Sequence, residues 1–189
     1  MEGKLIIFSA PSGAGKTSII KYLLDKISST EFSISATSRK PRKNEKNGID
    51  YHFISVNSFK KKIENNEFIE SEEVYENLFY GTLNSEIDRI WKNGKTVLLD
   101  MDVKGGLKIK SIFKEKALSI FIKPPSIKSL DNRLAKRALD TQKSIQERLK
   151  KSEFELGYAE EFDIILENKD LDKTKNEAFR IVSEFIEGK

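Results

Sequence analysis

The amino-acid sequence predicts an α/β protein in which helices cover both faces of a parallel sheet. Three observations in the 189 residues predict this class. Short apolar runs suited to buried strands alternate with amphipathic stretches, which is the rhythm of strands and crossover helices. The first apolar run, residues 5–8, passes through a loop of small residues into a helical pattern. Between about residues 34 and 82, several segments alternate apolar and polar residues, which indicates an inserted β-rich unit.

Composition excludes several classes of protein. The chain has no cysteine, so it forms neither a disulfide nor a metal site with cysteine ligands. No apolar run approaches the ~20 residues that cross a bilayer, and the sequence does not open on a signal-peptide pattern. The net charge is only +4 although 34% of the residues are charged, and no nucleic-acid recognition motif is present. We therefore expect a soluble, cytoplasmic protein without a membrane or nucleic-acid partner.

The segment LIIFSAPSGAGKT, residues 5–17, carries the strongest motif. A strand, a glycine-bearing loop, and a helix that opens with Lys16 and Thr17 form the layout of a phosphate-binding loop. Small residues let the loop backbone direct its N–H groups at phosphate oxygens. Lys16 then supplies a cation for the outer phosphates, and Thr17 supplies a hydroxyl for Mg²⁺. Because Ala10 stands where the full pattern has glycine, the triplet Gly-Lys-Thr alone leaves a plain strand-to-helix turn open.

Periodicity predicts the remaining elements in order. Helices are expected where apolar residues recur every three or four positions, and strands where they alternate or form short runs. The first half contains helix 16–27, strand 32–36, basic loop 37–47, strand 50–56, helix 58–65 capped by Asn57 or Ser58, and strands 68–75 and 78–82 joined by a turn at Glu76-Asn77. The second half contains helix 84–91, strand 97–100, helix 103–113, strand 118–122, a long basic helical stretch 127–151, strand 163–166 and helix 171–186.

Two acidic residues follow a buried-type strand. Open α/β sheets bind ligands at the carboxyl ends of their strands, and Asp100 and Asp102 lie at such an end. If the chain stays extended there, both side chains project to the same side. One carboxylate beside a phosphate-binding loop can hold Mg²⁺ through its water shell. The alternative is a pair of solvated acids.

Five arginines are candidate ligands of phosphate. Arg39 and Arg42 flank Lys-Pro in the basic loop, and two guanidinium groups can grip one phosphate. Arg133 and Arg137 are four residues apart and share a helix face, and Arg148 follows on the same stretch. Mobile arginines can neutralise charge on a phosphoryl group in transfer. Solvated surface charge is the alternative explanation of both patterns.

Taken together, the residues resemble the guanylate kinase family over nearly the whole chain. The resemblance rests on residues 9–17 (SAPSGAGKT), 35–53 (SATSRKPRKNEKNGIDYHF), 67–82 (EFIESEEVYENLFYGT), 98–106 (LLDMDVKGG), 120–126 (IFIKPPS) and 133–149 (RLAKRALDTQKSIQERL). It implies phosphoryl transfer from ATP to GMP with Mg²⁺, and a P-loop core with a β-rich GMP-binding insert and a helical lid. The implied boundaries are core 1–33, 83–126 and 159–189, insert 34–82, and lid 127–158.

The resemblance also implies roles for individual positions. The residues implied to take part in catalysis are Lys16, Arg137, Arg148 and Asp100, with Thr17 and Asp100 as metal ligands. The implied ATP-binding residues are Ala10, Pro11, Ser12, Gly13, Ala14, Gly15, Lys16, Thr17, Arg133 and Asn168, the last at a position where the family contacts adenine. The implied GMP-binding residues are Ser35, Arg39, Arg42, Tyr51, Glu70, Tyr80, Thr82 and Asp102.

Within the GMP set, the arginines and tyrosines would hold the phosphate, and Glu70 would accept hydrogen bonds from guanine N1–H and the amino group. Asp102 would assist at that edge, while Ser35 and Thr82 would donate to O6. Adenine lacks the N1–H donor and carries an amino group in place of O6, so fixed acceptors and donors can reject it by ~10⁴ or more.

Two other functions stay open. A non-catalytic guanylate-kinase-like module would bind phosphopeptides, although such modules have degraded phosphate loops and Lys16 and Thr17 are intact here. A related P-loop kinase would use a ribose bisphosphate as acceptor, although the guanine-reading residues argue against it. ATP and GMP are the expected partners, and a monomer or weak homodimer is the expected assembly. One departure is that the segment between Glu70 and Tyr80 is one residue longer than is usual in the family.

Overall fold

A parallel sheet and a smaller mixed sheet organise the chain, of which the computed structural model describes residues 3–127, 129–130 and 150–188. The elements in chain order are β1 (Leu5–Ser9), α1 (Lys16–Lys26), β2 (Thr30–Phe32), β3 (Ala36–Thr37), β4 (His52–Phe53), α2 (Val56–Glu64), β5 (Phe68–Tyr75), β6 (Leu78–Leu83), α3 (Asn84–Lys92), β7 (Thr96–Met101), α4 (Val103–Phe113), β8 (Ala117–Lys123), α5 (described over residues 150–156), β9 (Ile164–Glu167) and α6 (Leu171–Glu187).

The parallel sheet has the strand order β2-β7-β1-β8-β9. Its central strand β1 is buried along its whole length. In the sheet register, Phe8 lies opposite Asp100 of β7, and Ser9 lies opposite Phe121 of β8. Because parallel strands end at the same edge, residues 10–15, the acidic end of β7 and the residues after β8 meet there. This edge is where α/β sheets bind ligands.

Side chains of β1 alternate between two apolar clusters. Ile6 and Phe8 pack in the cluster that α1 and α6 complete. Leu5 and Ile7 pack in the cluster on the other face, which α3 and α4 complete. Burying one such side chain contributes ~1.5–3 kcal/mol to stability, so both faces of the sheet need a helical cover. The expected α/β fold class is confirmed.

A glycine lets α4 pack closely on β1. A Cβ atom at Gly106 would lie 2.9 Å from Ser9 Oγ and 3.1 Å from Ile7 Cγ2. Glycine costs helix stability by propensity, but here its missing side chain allows a close approach between helix and strand. The N-terminus of α4 is thereby held beside the end of β1.

The mixed sheet has the order β4-β3-β6-β5 and forms the insert between β2 and α3. Its own core centres on Phe59 of α2, which stacks on Phe68 and Phe79 with ring centroids 4.3 and 5.3 Å apart. Glu86 of α3 joins the insert to the parallel core, because its Oε2 accepts a hydrogen bond of 3.2 Å from Ile34 N–H.

The expected strand 32–36 is wrong, since these residues divide between two sheets. Ser33 N–H still donates to Leu98 O at 2.9 Å, beside the parallel ladder. The chain then crosses to the insert and pairs again at Ala36, opposite His52 and Gly81. Alternating residues alone do not reveal such a crossing.

The expected strand 50–56 and the expected helix cap are also wrong. Only His52–Phe53 form a strand, and α2 begins at Val56. Ser55 caps this helix by accepting a hydrogen bond of 3.1 Å from Ser58 N–H, so the cap is neither Asn57 nor Ser58. Because Ser55 caps the helix, Val56 belongs to α2 although it also ends the alternating run 50–56.

The other expected elements within the described residues agree to within one or two residues at each end. The expected helical stretch 127–151 lies mostly outside the described residues, although residues 127, 129, 130 and 150–156 are helical. The boundaries of core, insert and lid stay a prediction. In the part of the chain that the structure describes, no helix combines the length and apolar character needed to cross a membrane.

Candidate active site

A cleft of about 530 Å³ opens between the phosphate loop and the insert. Loop residues 10–17 form one wall, and β5 and β6 of the insert form the opposite wall. The acidic end of β7 and residues 151, 152 and 155 of α5 close the remaining sides. The cleft thus joins four parts of the chain that are far apart in sequence.

The phosphate loop has the conformation that its sequence predicts. Gly13 and Gly15 have φ of 87° and 102°, in the left-handed region that favours glycine. Helix α1 begins directly after Gly15, so its first N–H groups and its positive dipole end face the cleft. Lys16 Nζ lies 2.5 Å from Asp100 Oδ1 and donates to Met101 O at 3.0 Å. The cation therefore lies across the loop mouth, and the exposed Thr17 follows it in the first turn.

Asp100 and Asp102 both line the cleft but make different local contacts. Asp100 lies in β7 and pairs with Lys16. Asp102 is the N-cap of α4, and its Oδ1 accepts a hydrogen bond of 2.9 Å from Gly105 N–H. Ser9 Oγ donates to Asp102 O at 3.1 Å, which ties this turn to the end of β1. The carboxylate of Asp100 is thus held by Lys16, and that of Asp102 by the backbone of α4.

A buried carboxylate lies on the insert side of the cleft. Glu70 is 8% exposed, and its Oε1 accepts a hydrogen bond of 3.0 Å from the fully buried Thr82 hydroxyl. The two residues lie opposite each other in the β5–β6 register. Burial raises the pKa of Glu70 above its usual value, and the Thr82 hydrogen bond opposes this shift. The arrangement presents an oriented hydrogen-bond acceptor to the cleft.

Basic and aromatic side chains form the outer end of the insert. Arg39 Nε donates to Tyr80 Oη at 3.1 Å, and the Arg39 guanidinium lies 5.4 Å from the centre of the Tyr51 ring. Tyr51 and Tyr80 contact each other edge to face, with ring centroids 5.9 Å apart. Ser35, at the start of the insert, lines the cleft with both tyrosines. These groups resemble a site for an anion with an aromatic wall.

Glu45 already binds the Arg39 guanidinium in a bidentate ion pair. Its two carboxylate oxygens accept hydrogen bonds of 2.8 and 2.9 Å from Arg39 Nη1 and Nη2. The Arg42 N–H also donates to Glu45, at 2.8 Å. The Arg39 guanidinium lowers the pKa of Glu45 to about 2, with Arg42 adding to the effect, and the pKa of Arg39 is raised by the same pair.

The structure brings together most of the residues that the sequence singled out, but not all. Arg42 is exposed on the basic loop, and Thr82 is buried behind Glu70. Arg133, Arg137 and Arg148 lie outside the described residues. The assignment of these residues to a site stays a prediction.

Asn168 lies behind the phosphate loop and is 2% exposed. Its Nδ2 donates to Ala14 O at 2.7 Å, and its backbone N–H donates to Lys123 O at 2.7 Å. The side chain therefore contacts the loop backbone from the side of the sheet. Its predicted contact with adenine stays untested.

The sequence reasoning missed eight residues that line the cleft: Ser18, Glu72, Val74, Gly81, Met101, Lys151, Ser152 and Glu155. Glu72 is two residues after Glu70 on β5, so strand alternation could have found it. Burial and the nearby Asp102 carboxylate raise its pKa. Burial also raises the pKa of Glu155, which is 7% exposed. No motif marks the three residues of α5, because only the fold brings that helix to the cleft.

Fold and cleft together define the class of protein. A phosphate loop at the carboxyl edge of a parallel sheet, facing a basic and aromatic surface on an insert, is the arrangement of a P-loop kinase that acts on a small acceptor. Comparisons with known proteins narrow this class. The guanylate kinase family model matches residues 2–187 of the chain.

Curated relatives and a solved structure agree with that match. A guanylate kinase of Bacteroides fragilis is 49% identical over 185 residues, covering 98% of this chain and 91% of the relative. A guanylate kinase of Porphyromonas gingivalis is 48% identical over 184 residues, covering 97% and 98%. The crystal structure of a guanylate kinase from Anaplasma phagocytophilum superposes with a TM-score of 0.76 at 30% identity, covering 96% of this chain and 85% of that one. The chain belongs to the guanylate kinase family.

Proposed function

We propose that the protein transfers the γ-phosphoryl group of ATP to GMP, giving ADP and GDP. One observation carries this proposal: the phosphate loop and the Glu70–Tyr80 surface of the insert line the same cleft. Two nucleotides bound at these two surfaces would have their phosphates directed at each other. Direct transfer needs no covalent intermediate, so the protein contributes positioning and charge stabilisation.

The donor side is the phosphate loop. The N–H groups of residues 10–17 would bind the β- and γ-phosphates, and Lys16 would stabilise the charge of the transferring group. The position of the Lys16 ammonium supports this role, because Asp100 and Met101 O hold it at the mouth of the loop. An incoming phosphate would replace one anionic partner of Lys16 by another. Arg133, Arg137 and Arg148 are proposed to act from the lid.

The acceptor side reads guanine and holds its phosphate. Glu70 would accept from N1–H and the amino group, since its buried carboxylate has one oxygen fixed by Thr82 and one oxygen not fixed by that bond. Asp102 would accept from the amino group, and Ser35 would donate to O6. The hydroxyl of Thr82 has a single proton, which it donates to Glu70, so Thr82 would donate to O6 only after turning from that carboxylate. Arg39, Arg42, Tyr51 and Tyr80 would bind the phosphate. A mismatched base would leave the buried Glu70 without its donors, at a cost of ~1–3 kcal/mol for each unsatisfied group.

Thr17 and Asp100 would hold Mg²⁺. Among the residues that the structure describes, no three His, Cys, Asp or Glu side chains converge to form a metal site by themselves. A sparse donor set suits this ion, because nucleotide-bound Mg²⁺ takes phosphate oxygens and keeps several waters. The exposed Thr17 and the Asp100 carboxylate both line the cleft. When bound, the ion would offset negative charge on the phosphate oxygens.

An acceptor panel tests the proposal. Purified protein is given ATP and Mg²⁺ with GMP, dGMP, AMP, CMP or ribose bisphosphate, and ADP release is coupled to NADH oxidation. We expect turnover with GMP and at least ~10⁴-fold lower kcat/KM with AMP. Turnover only with ribose bisphosphate would favour the related kinase. Absence of turnover together with binding of a phosphopeptide would favour the non-catalytic module.

Cytoplasmic location, the absence of nucleic-acid and membrane partners, and a monomeric or weakly dimeric state accompany this proposal as predictions. Sedimentation with and without both nucleotides measures the last of them.

A further inference from the structure

A buried amide braces the phosphate loop from behind. Asn168 follows β9, and its side chain is 2% exposed. Its Nδ2 donates to the backbone oxygen of Ala14 at 2.7 Å, which is a short hydrogen bond for an amide donor. Its own N–H donates to Lys123 O, at the end of β8, at 2.7 Å. Asn168 is thus fixed to the sheet through its backbone N–H and to the loop through its side-chain amide.

The loop is shaped to receive this side chain. A Cβ atom at Gly15 would lie 2.4 Å from Asn168 Nδ2, so any residue with a side chain would collide with the brace. Gly15 also has φ of 102°, a second reason for glycine at this position. The contact with Asn168 and the positive φ therefore both require glycine at position 15.

Fixing one carbonyl also fixes the next N–H. The Ala14–Gly15 peptide is trans, and in a planar trans peptide the C=O and N–H bonds point in opposite directions. Asn168 draws the Ala14 oxygen toward the sheet, so the Gly15 N–H is directed away from Asn168. Both Ala14 and Gly15 line the cleft.

We propose that Asn168 is a positioning residue, which holds the Ala14–Gly15 peptide so that Gly15 N–H donates to a phosphate of the bound nucleotide. This inference rests on the proposed use of the loop to bind ATP. It differs from a contact with adenine, because the amide donor acts on the protein backbone and the base is not involved. The brace would be the same for any nucleoside triphosphate and for inorganic triphosphate.

Inorganic triphosphate separates the two roles, because it has no base. Its affinity is measured by calorimetry for the wild type, Asn168→Ala and Asn168→Leu, each shown to be folded by a cooperative thermal transition. Leucine has the same branched skeleton of four side-chain heavy atoms as asparagine but no hydrogen-bond donor. We expect about tenfold weaker binding of triphosphate and of ATP in both variants, the loss for one buried hydrogen bond.

Asn176→Ala is the matched control. Asn176 also contacts α1 through its side-chain amide, because its Oδ1 accepts a hydrogen bond of 3.0 Å from Tyr22 Oη, but it lies on the exposed surface. This variant should bind triphosphate within twofold of the wild type. Unchanged triphosphate affinity in folded Asn168 variants, with weaker binding of ATP alone, would overturn the brace and favour adenine contact. A wild type that binds neither ligand would overturn the proposed function and the brace together.

The wild type alone gives a second test, which does not depend on the variants folding. In a ¹⁵N-labelled sample, saturating triphosphate should move the Gly15 amide proton strongly downfield, as expected when an N–H begins to donate to an anion. A Gly15 amide that keeps its shift while the Lys16 amide moves would refute the proposed direction of the N–H.

Discussion

Replacing Glu70 by glutamine tests the reading of guanine with the smallest change of shape. In the wild type, the Thr82 hydroxyl donates to Glu70 Oε1 at 3.0 Å. Glutamine keeps an oxygen that can accept this hydrogen bond. The second oxygen becomes an NH₂ group. That group would face a guanine donor, so one hydrogen bond to a charged acceptor becomes a contact between two donors.

The expected cost follows from burial. Glu70 is 8% exposed, so water does not replace the lost partner. A hydrogen bond to a charged group is worth ~1.5–3 kcal/mol, and an unsatisfied buried group adds to the loss. We expect about 3 kcal/mol, which is a fall of about 150-fold in kcat/KM for GMP. The KM for ATP should change less than about threefold, because the phosphate loop lies on the opposite wall of the cleft.

Steady-state kinetics with GMP and AMP as acceptors measure the effect. Glu76→Gln is the matched control, since it removes the same charge from the exposed tip of the same hairpin. It should keep the GMP-over-AMP preference of the wild type. If Glu70→Gln also keeps that preference, Glu70 does not read guanine and the acceptor side has been assigned wrongly.

Three further predictions follow from the same geometry. Lys16→Ala should lower kcat at least about 1000-fold through loss of charge stabilisation, while the GMP affinity measured by calorimetry stays within about threefold. Loss of GMP binding would show that Lys16 belongs to the acceptor side of the cleft as well as to the donor side. Because burial raises the pKa of Glu70, its carboxylate is lost on acidification already above the usual range of a glutamate. GMP affinity should therefore fall with decreasing pH in that range, and a pH profile as flat as that of Glu70→Gln would contradict the assignment. Gly106→Ala should cost about 1–3 kcal/mol in urea unfolding, because the new methyl group would lie 2.9 Å from Ser9 Oγ; an unchanged unfolding midpoint would show that α4 can shift freely.

Local patterns predicted most of the elements. The phosphate loop was predictable because its function needs glycines, a lysine and a hydroxyl at fixed spacing within one segment. The hairpin of β5 and β6 followed from alternation and from the turn at Glu76-Asn77, where Asn77 has φ of 59°. Register shifts between Glu73 and Tyr75 show an irregularity beside Val74. Sequence patterns located the strands there but not the irregularity.

Side-chain contacts outside regular helices and strands were not predictable. The loop 37–47 has no periodicity, so nothing in it indicated that Glu45 binds Arg39. Asn168 was associated with the nucleotide only through the resemblance, and its hydrogen bond to Ala14 depends on how β9 ends beside the loop. Such contacts arise from the fold, whereas propensity and periodicity report only on neighbours in sequence.

The carboxylate of Glu45 gives Arg39 an internal competitor for any incoming anion. It is attached six residues along the same loop, so its local concentration around the guanidinium is high and does not fall on dilution. A small free anion must displace this tethered rival and gains little by doing so. If Arg39 binds the acceptor phosphate as proposed, a nucleotide that also contacts the buried wall of the insert would have additional binding energy with which to displace Glu45. The ion pair would then disfavour small free anions at Arg39 and favour ligands that make contacts along the whole cleft.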